Sequence, residues 1–470
     1  VPELDPAGAR GSYDAPRMTG GLFPLIALGL WVPIGLALFA LMHHPRRAIV
    51  LCVVGGMLML PERTAFDAPL IPPLGKNEIA SLTAFLGCAI FAPKTLLQRP
   101  ASRIDWLLLL VIVGVVPTVF ANSEPLVNGS VLRPGLTTHD MVSGFVATAL
   151  GIGLPFMLGR WASSDMGNLR VALSAIVACA VLYSGFIWIE LRFSPQFHNW
   201  VYGFHPQGFD QAFRWGGYRP FVFTAHGLAL SSFILVAMLA SLGLKAVRQR
   251  VAGFSTGTLA LYLGVVLLLC RSTGAIIMGI VALLAIGLLR STLLARVAAV
   301  LVAVCLAFPL MRITGTAPDE ALLNMASSLQ KDRAGSLEYR FTNEKMLTER
   351  AVEKLWTGWG GFGRGRVFDA EGRDLTVTDG YWIILFGERG LIGLYGCFAL
   401  LVFPILLVPS ALTRTLDGEE KRLLACTALL VTVQVIDLLP NGLFSPFPYF
   451  CSGMLLSAVR SVGHLHPPPV

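Results

Sequence analysis

The chain has 470 residues, of which 55% are hydrophobic and only 14% charged, and its mean hydropathy is +0.69. A soluble domain carries about 25% charged residues, so this composition excludes an ordinary soluble enzyme. The net charge of +8 is no nucleic-acid signature, because the basic residues sit in short loops between apolar runs, as membrane topology requires.

The leading stretch "VPELDPAGARGSYDAPR" mixes both charge signs and reads as disordered over 1–21, with no cleavable signal peptide. Apolar runs follow at 22–42, 48–60, 79–92, 104–121, 141–159, 170–189, 221–244, 254–270, 272–289, 296–312, 381–409, 423–439 and 447–463. Two of them, 48–60 and 79–92, are short for a bilayer that needs about 20 residues. They read as tilted, re-entrant or half-buried. The expected fold is an all-α, polytopic transmembrane bundle of about 11–13 spans, with its first part over 22–312 and its last part over 379–463. A loop domain over 313–378 separates the two parts, and 464–470 forms a tail. The eight cysteines fall inside or at the rim of apolar runs without C-x-x-C spacing, so they read as small apolar residues rather than a disulfide frame or metal site.

Lysine and arginine set the orientation. The loops "HHPRR" (43–47), "PKTLLQRPASR" (93–103), "RWASSDMGNLR" (160–170), "KAVRQR" (245–250), "RSTLLAR" (290–296) and "TRTLDGEEKR" (413–422) are short and basic, which assigns them to the cytoplasm. The opposite set, 61–78, 122–140, 190–220 and 313–378, then lies outside. Within 313–378, "SLEYRFTNEKMLTERAVEKLW" (336–356) places Leu337, Phe341, Leu347, Ala351 and Leu355 on one side of an amphipathic helix, with Ser336 as a cap and Gly358 as its end. The stretch "WTGWGGFGRGR" (356–366) follows. It lacks the G-K-[ST] ending of a phosphate loop and no strand precedes it, so nucleotide binding is not its task.

Arginines gather on the outer side. Arg214 and Arg219 precede the span at 221, Arg271 lies between two spans, Arg340 is on the amphipathic helix, Arg364 and Arg366 are in the glycine stretch, and Arg389 is inside the next span. An ionisable residue within a span is costly and marks a candidate site. Each arginine alone reads equally well as snorkelling to headgroups or pairing with an acid. Arg219, Arg271 and Arg340 together point to phosphate recognition. Asp379 reads as a general base on a sugar hydroxyl or as the N-cap of the span after it. His226 reads as a sugar contact or as a satisfied bundle histidine. The aromatics of the loop around His198 and His205 line a sugar or lipid path, or form an interface belt. No segment has the spacing of a metal site.

Four segments carry a resemblance to the O-antigen polymerase and O-antigen ligase superfamily of bacterial envelope glycosyltransferases: "YRPFVFTAHGLAL" (218–230), "CRSTGAII" (270–277), "YRFTNEKMLTERAVEKLWTGWGGFGRG" (339–365) and "DGYWIILFGERGLIGLYG" (379–396). The closing "LLPNGLFSPFPYFCSGMLLSA" (438–458) fits the family's last hairpin. The resemblance implies a bacterial inner-membrane enzyme that takes a glycan from an undecaprenyl-pyrophosphate donor on the periplasmic face, without nucleotide, cofactor or catalytic metal. Polymerases pass it to another lipid-linked repeat unit, and ligases to lipid A–core. By position, Arg219 and Arg340 are the implied pyrophosphate contacts, with Arg271 a weaker one because its local motif is rearranged. Asp379 accepts or orients the acceptor hydroxyl, and Gly358, Trp359 and Gly360 shape a loop that folds over the site. Arg214, His226 and Arg364 complete the expected substrate contacts. Ligases carry a histidine where this chain has Asp379, followed by Gly380 where Asn is commoner, which favours the polymerase branch. A transporter or flippase of lipid-linked sugars is the alternative of another class. It is disfavoured by the absence of an internal repeat and by ionisable residues crowding one edge. The expected partners are the lipid-linked donor and acceptor and membrane lipid, with no nucleic acid. Whether a chain-length regulator binds is not written in the sequence.

Overall fold

The computed structural model describes residues 21–67, 71–97, 103–128, 131–329, 331–414, 417–442 and 446–464. Most of the leading segment expected to be disordered (1–20), most of the tail (465–470) and parts of two basic loops lie outside these residues.

Helices dominate the chain. They are α1 (Leu22–Leu41), α2 (Pro45–Met59), α3 (Lys76–Phe91), α4 (Pro93–Leu97), α5 (Ile104–Val113), α6 (Val115–Phe120), α7 (Thr138–Thr148), α8 (Leu154–Ala162), α9 (Met166–Phe193), α10 (Phe197–Tyr202), α11 (Gly227–Ala246), α12 (Thr256–Leu269), α13 (Thr273–Leu288), α14 (Ser291–Ile313), α15 (Asp319–Leu329), α16 (Lys331–Val352), α17 (Tyr381–Ala411), α18 (Gly418–Leu438) and α19 (Phe447–His464). A π-helical turn, Ala149–Gly153, joins α7 to α8. Three short antiparallel ribbons occupy loops, at β1 (Leu126–Asn128) with β2 (Val131–Arg133), β3 (Phe213–Arg214) with β4 (Gly217–Tyr218), and β5 (Arg250–Val251) with β6 (Phe254–Ser255). An expectation of helix alone misses these ribbons, because pairs of two or three residues leave no periodic trace.

Six helical stretches are long and apolar enough to cross a membrane: α1, Thr138–Ala162, α9, α11, α14 and α17. The stretch Ile104–Phe120 and helices α12 and α13 are apolar but shorter. A helix meets its own backbone hydrogen bonds, which is what an apolar solvent demands. Side-chain exposure divides the bundle. Helix α1 exposes Leu22, Phe23, Ile26, Leu30 and Ile34, and α13 exposes Ile277, Ile280, Val281 and Leu284. Such continuous apolar faces suit lipid and would be a liability in water. Helices α11, α18 and α19 instead bury most of their side chains. Close backbone approach joins α8 to α19: a Cβ on Gly159 would collide with the carbonyl of Phe450, and one on Gly453 with that of Phe156. Small residues at helix contacts are how apolar helices gain dispersion contacts without a hydrophobic driving force. All eight cysteines are free, and all but the half-buried Cys179 are buried.

The loops sort to the two ends of the bundle as their charges suggest. At one end, Arg46 pairs with Asp165 (3.4 Å), Arg170 with Glu420 (2.9 Å) and Arg248 with Glu419 (3.5 Å), while Arg422 donates to the carbonyl of Leu289 (2.7 Å). At the other end, Lys76 pairs with Glu62 (2.5 Å) and donates to the carbonyl of Phe223 (3.1 Å), and the Glu62 amide donates to His198 Nε2 (3.1 Å). Asn122 there donates to the carbonyl of Gly358 (2.9 Å). Arg312, at the end of α14, anchors the 313–378 segment. It bonds Asp319 of α15 (2.5 Å) and Glu344 of α16 (2.9 Å) and stacks over Phe341 at 4.2 Å. The amphipathic helix starts earlier than the sequence suggests, at Lys331, so Ser336 lies inside it. Its Leu347 and Ala351 are buried, and its Asn343 accepts from the Val377 amide (2.8 Å).

Candidate functional site

The residues singled out from sequence fall into three groups at the second end of the bundle. The first surrounds the entry to α11. Three backbone amides, of Phe197, Phe221 and Val222, donate to the buried carboxylate of Glu190 at 3.0, 2.8 and 2.8 Å. With Lys76 on the Phe223 carbonyl and Tyr183 accepting from the Phe223 amide (3.0 Å), these bonds fix the chain from Arg219 to His226. His226 caps α11. The Leu228 amide donates to its Nδ1 (2.9 Å), so the ring proton sits on Nε2 and is donated to Gln211 Oε1 (3.1 Å). Burial, then Arg219 and Arg214, push its pKa down to about 4, so the ring is neutral. Both ring nitrogens are thus occupied, as in the satisfied-histidine alternative.

Arg219 is only 4% exposed, and its stem lies against Gly227. Among the described residues its side chain has no ion pair, and its buried Nε has no partner. Burial and the nearby Arg214 lower its pKa to about 10. A buried cation without an anion is expensive, which makes Arg219 a candidate anion contact. Arg271 has another task. It donates to the carbonyls of Arg214 (2.7 Å) and Trp215 (3.0 Å), bracing the turn of the β3–β4 ribbon.

The second group is an ion pair. Arg340 of α16 meets Asp379 at 3.3 Å, with the two side chains 40% and 34% exposed. The N-cap of α17 is Gly380 and receives no side-chain cap bond, so Asp379 spends its carboxylate on Arg340 rather than on capping. A Cβ at position 380 would strike the Leu439 carbonyl, which explains the glycine there.

The third group is the glycine stretch, which splices into α17. Gly390 has φ 59° and ψ −161°, so α17 is two helices meeting at a break. The amides of Trp359 and Gly360 donate to the carbonyls of Gly387 (2.8 Å) and Glu388 (2.9 Å), and the Leu391 amide donates to Leu355 (2.8 Å). The loop therefore supplies the bonds that the broken helix lacks. Gly358 has φ 66°, and a Cβ there would overlap the backbone of Glu388 and Arg389. The glycines serve as a close backbone joint rather than as a free lid. Trp359 is buried, donates to the Arg350 carbonyl (2.8 Å), and lies under the cations of Arg350 (3.5 Å) and Lys354 (4.7 Å). Arg364 is 2% exposed and donates to the carbonyls of Pro134 (2.7 Å) and Glu124 (2.9 Å). Burial, then Arg133 and Arg350, lower its pKa. Arg364 is a staple between two loops.

The break opens onto a cavity of about 660 Å³. Its wall draws Lys76 and Glu78 from α3, Thr224 and Ala225 before α11, Tyr381, Glu388 and Arg389 from α17, and Gln434 and Asp437 from α18. Val54, Leu58, Phe233, Leu385 and Phe447 make the wall apolar elsewhere. None of Asp379, Arg340, Arg219, Arg271, His226, Arg214, Trp359, Gly360 and Arg364 lines this cavity, although Thr224 and Ala225 sit beside His226. Arg389 does line it, its Nη1 is buried without a partner, and among the described residues it has no ion pair. Of the other wall charges, Lys76 pairs with Glu62, Glu78 accepts from the Gly75 amide (3.0 Å) and Asp437 accepts from Asn441 Nδ2 (2.7 Å), while Arg63 is a second wall cation with no ion pair among the described residues.

The sequence marks Arg389 as an intramembrane ion, whereas the wall positions of Lys76, Glu78, Glu388 and Asp437 come from the structure. The signal was available in each case, because all four lie inside or at the rim of apolar runs. No family model matches this chain, and no curated protein sequence matches it.

Proposed function

We propose that this chain is a glycosyltransferase of the bacterial inner membrane that polymerises polyprenyl-pyrophosphate-linked oligosaccharide repeat units on the periplasmic face. The observation that carries the proposal is Arg389: a guanidinium with a partnerless Nη1, held at a helix break, facing a cavity among helices. A guanidinium matches phosphate oxygens in geometry and cannot be deprotonated. In such a reaction it binds the donor's pyrophosphate and stabilises the charge that develops as the sugar departs. Buried Arg219 lines no part of this cavity but adds positive charge behind it, on the loop that supplies Thr224 and Ala225 to the wall. The bond broken is already activated by its pyrophosphate, so the resemblance implies no nucleotide and no metal. In this assignment Asp379 and Arg340 hold the outer segment to the start of α17, and the chemistry moves to the cavity.

A broken helix lined by ions also suits a transporter, whose sites lie near the bilayer midplane. Depth separates the two readings. Beyond the break, α17 continues over 391–411, 21 residues, or about 32 Å at 1.5 Å per residue. That length alone crosses a hydrocarbon core of about 30 Å. On this reading Arg389 lies at headgroup level, where a lipid-linked pyrophosphate presents its charge. This favours transfer at the surface over passage through the middle. A ligase that delivers glycan to lipid A–core shares the donor chemistry, and the carboxylate in place of histidine at 379 argues against it.

The test is to reconstitute the purified protein in liposomes with lipid-linked repeat units extracted from the producing cells, without nucleotide. Wild type is expected to lengthen the glycan, and Arg389→Ala to lose about 100-fold or more in rate. Polymer at the wild-type rate from Arg389→Ala overturns the assignment, and movement of units across the bilayer without lengthening favours the transporter.

A further inference from the structure

A second, much smaller chamber of about 30 Å³ lies behind the cavity wall. That is room for a water molecule. Gly360, Gly363 and Gly365 of the spliced loop, Arg366 and Thr378 line one side, and Ile384, Gly387 and Glu388 of α17 the other. Ile384 and Glu388 border both this chamber and the large cavity. Glu388 is the one carboxylate that does so among the described residues.

From this placement we infer that Glu388 is the proton acceptor of the transfer reaction and that the small chamber is its proton outlet. The inference rests on the glycosyltransferase reading above and names a residue that reading leaves open. Glu388 has polar neighbours of its own, and its place between two compartments is what sets it apart. Its backbone is held by the spliced loop. Its carbonyl accepts from the Gly360 amide at 2.9 Å, and the carbonyl before it accepts from the Trp359 amide at 2.8 Å. A general base needs such fixation to stay within reach of the proton it takes. Arg389 follows it directly in the chain, so one break positions both the base and the cation for the leaving group.

The step balances as follows. The acceptor hydroxyl oxygen attacks the donor's anomeric carbon while its proton passes to the Glu388 carboxylate. The bond from that carbon to the pyrophosphate oxygen breaks, and the polyprenyl pyrophosphate leaves with the electron pair. Glu388 then releases its proton to water in the small chamber. Thr378 Oγ1 on the chamber wall accepts from Arg366 (3.4 Å), which leaves its own hydroxyl proton for that water, and Arg366 is in turn held by Asp374 (2.5 Å). Of the loop glycines Gly365 matters here, because a Cβ on it would press against the Gly387 backbone on the opposite wall.

The experiment compares wild type, Glu388→Gln and Thr378→Val in liposomes with the extracted repeat units, alongside binding of polyprenyl pyrophosphate alone. Glu388→Gln keeps shape and removes the base, so turnover is expected to fall about 100- to 10,000-fold with pyrophosphate binding unchanged. Formate is expected to restore part of the rate to Glu388→Gly. Thr378→Val removes one hydroxyl and is expected to slow turnover about 5- to 10-fold. Wild-type turnover in Glu388→Gln, or a loss that follows lost pyrophosphate binding, overturns the base while leaving the glycosyltransferase reading in place. Full turnover in Thr378→Val overturns the outlet. A wild-type protein that neither binds polyprenyl pyrophosphate nor lengthens the glycan overturns both the reading and the base.

Discussion

Placing a methyl group on Gly358 tests the joint between the outer segment and α17. Two costs combine there. The residue has φ 66°, and an alanine in the left-handed region costs about 1–2 kcal/mol. The added Cβ also overlaps the backbone of Glu388 and Arg389, which cannot swing aside as a side chain would. Relief requires the loop to lift. That strains the bonds from Trp359 to Gly387 (2.8 Å) and from Gly360 to Glu388 (2.9 Å), each worth about 0.5–1.5 kcal/mol. The expected loss is about 2–5 kcal/mol. At roughly 2 °C per kcal/mol for a large chain, the melting midpoint in detergent falls by about 4–10 °C. Gly361 is the control, since a Cβ there meets nothing within 4 Å. Gly361→Ala is expected to melt with wild type, within about 1 °C. Equal melting of Gly358→Ala and Gly361→Ala would refute the splice. So would a destabilised Gly358→Ala whose Arg389-dependent turnover is unchanged, because the joint would then not position the break.

Other outcomes follow from the same geometry. Arg219→Met removes a buried cation without a partner, so its melting midpoint is expected to equal or exceed wild type while polymer output falls about 100-fold; a clear drop in stability would mean Arg219 is structural. Asp379→Asn breaks a half-exposed pair worth about 0–1 kcal/mol, so polymer yield is expected to stay within about fivefold, and a far larger loss returns the base to Asp379. His226 and His198 both have native pKa values lowered to about 4, chiefly by burial, against about 6.5 when unfolded. Between those values the unfolded chain binds more protons, so their contribution to stability is complete above about pH 6.5 and is lost as pH falls toward 4. Melting points of wild type and of His226→Asn with His198→Asn across that range check this, and an identical slope in both counts against it.

The sequence made the helical class legible because the signal is local. Long apolar runs need only their own residues to be seen, and basic loops alternate with neutral ones along the chain. The amphipathic character of α16 was legible for the same reason, since 3.6-residue periodicity is a property of one segment. Arg389 was legible as an ion inside an apolar run.

What each charge does was decided by the tertiary structure alone. Nothing near Arg340 in sequence names Asp379 as its partner, nothing near Arg271 names the carbonyls of Arg214 and Trp215, and nothing near Arg364 names those of Pro134 and Glu124. Nor does any local pattern reveal that Gly358 lies on the backbone of Arg389. Composition and periodicity fix which residues must leave water, because transfer free energy belongs to each side chain. A partner is set by which helices meet, and that depends on the packing of the whole bundle, so an arginine bound to a carbonyl and one left for a ligand look alike until the chain is folded.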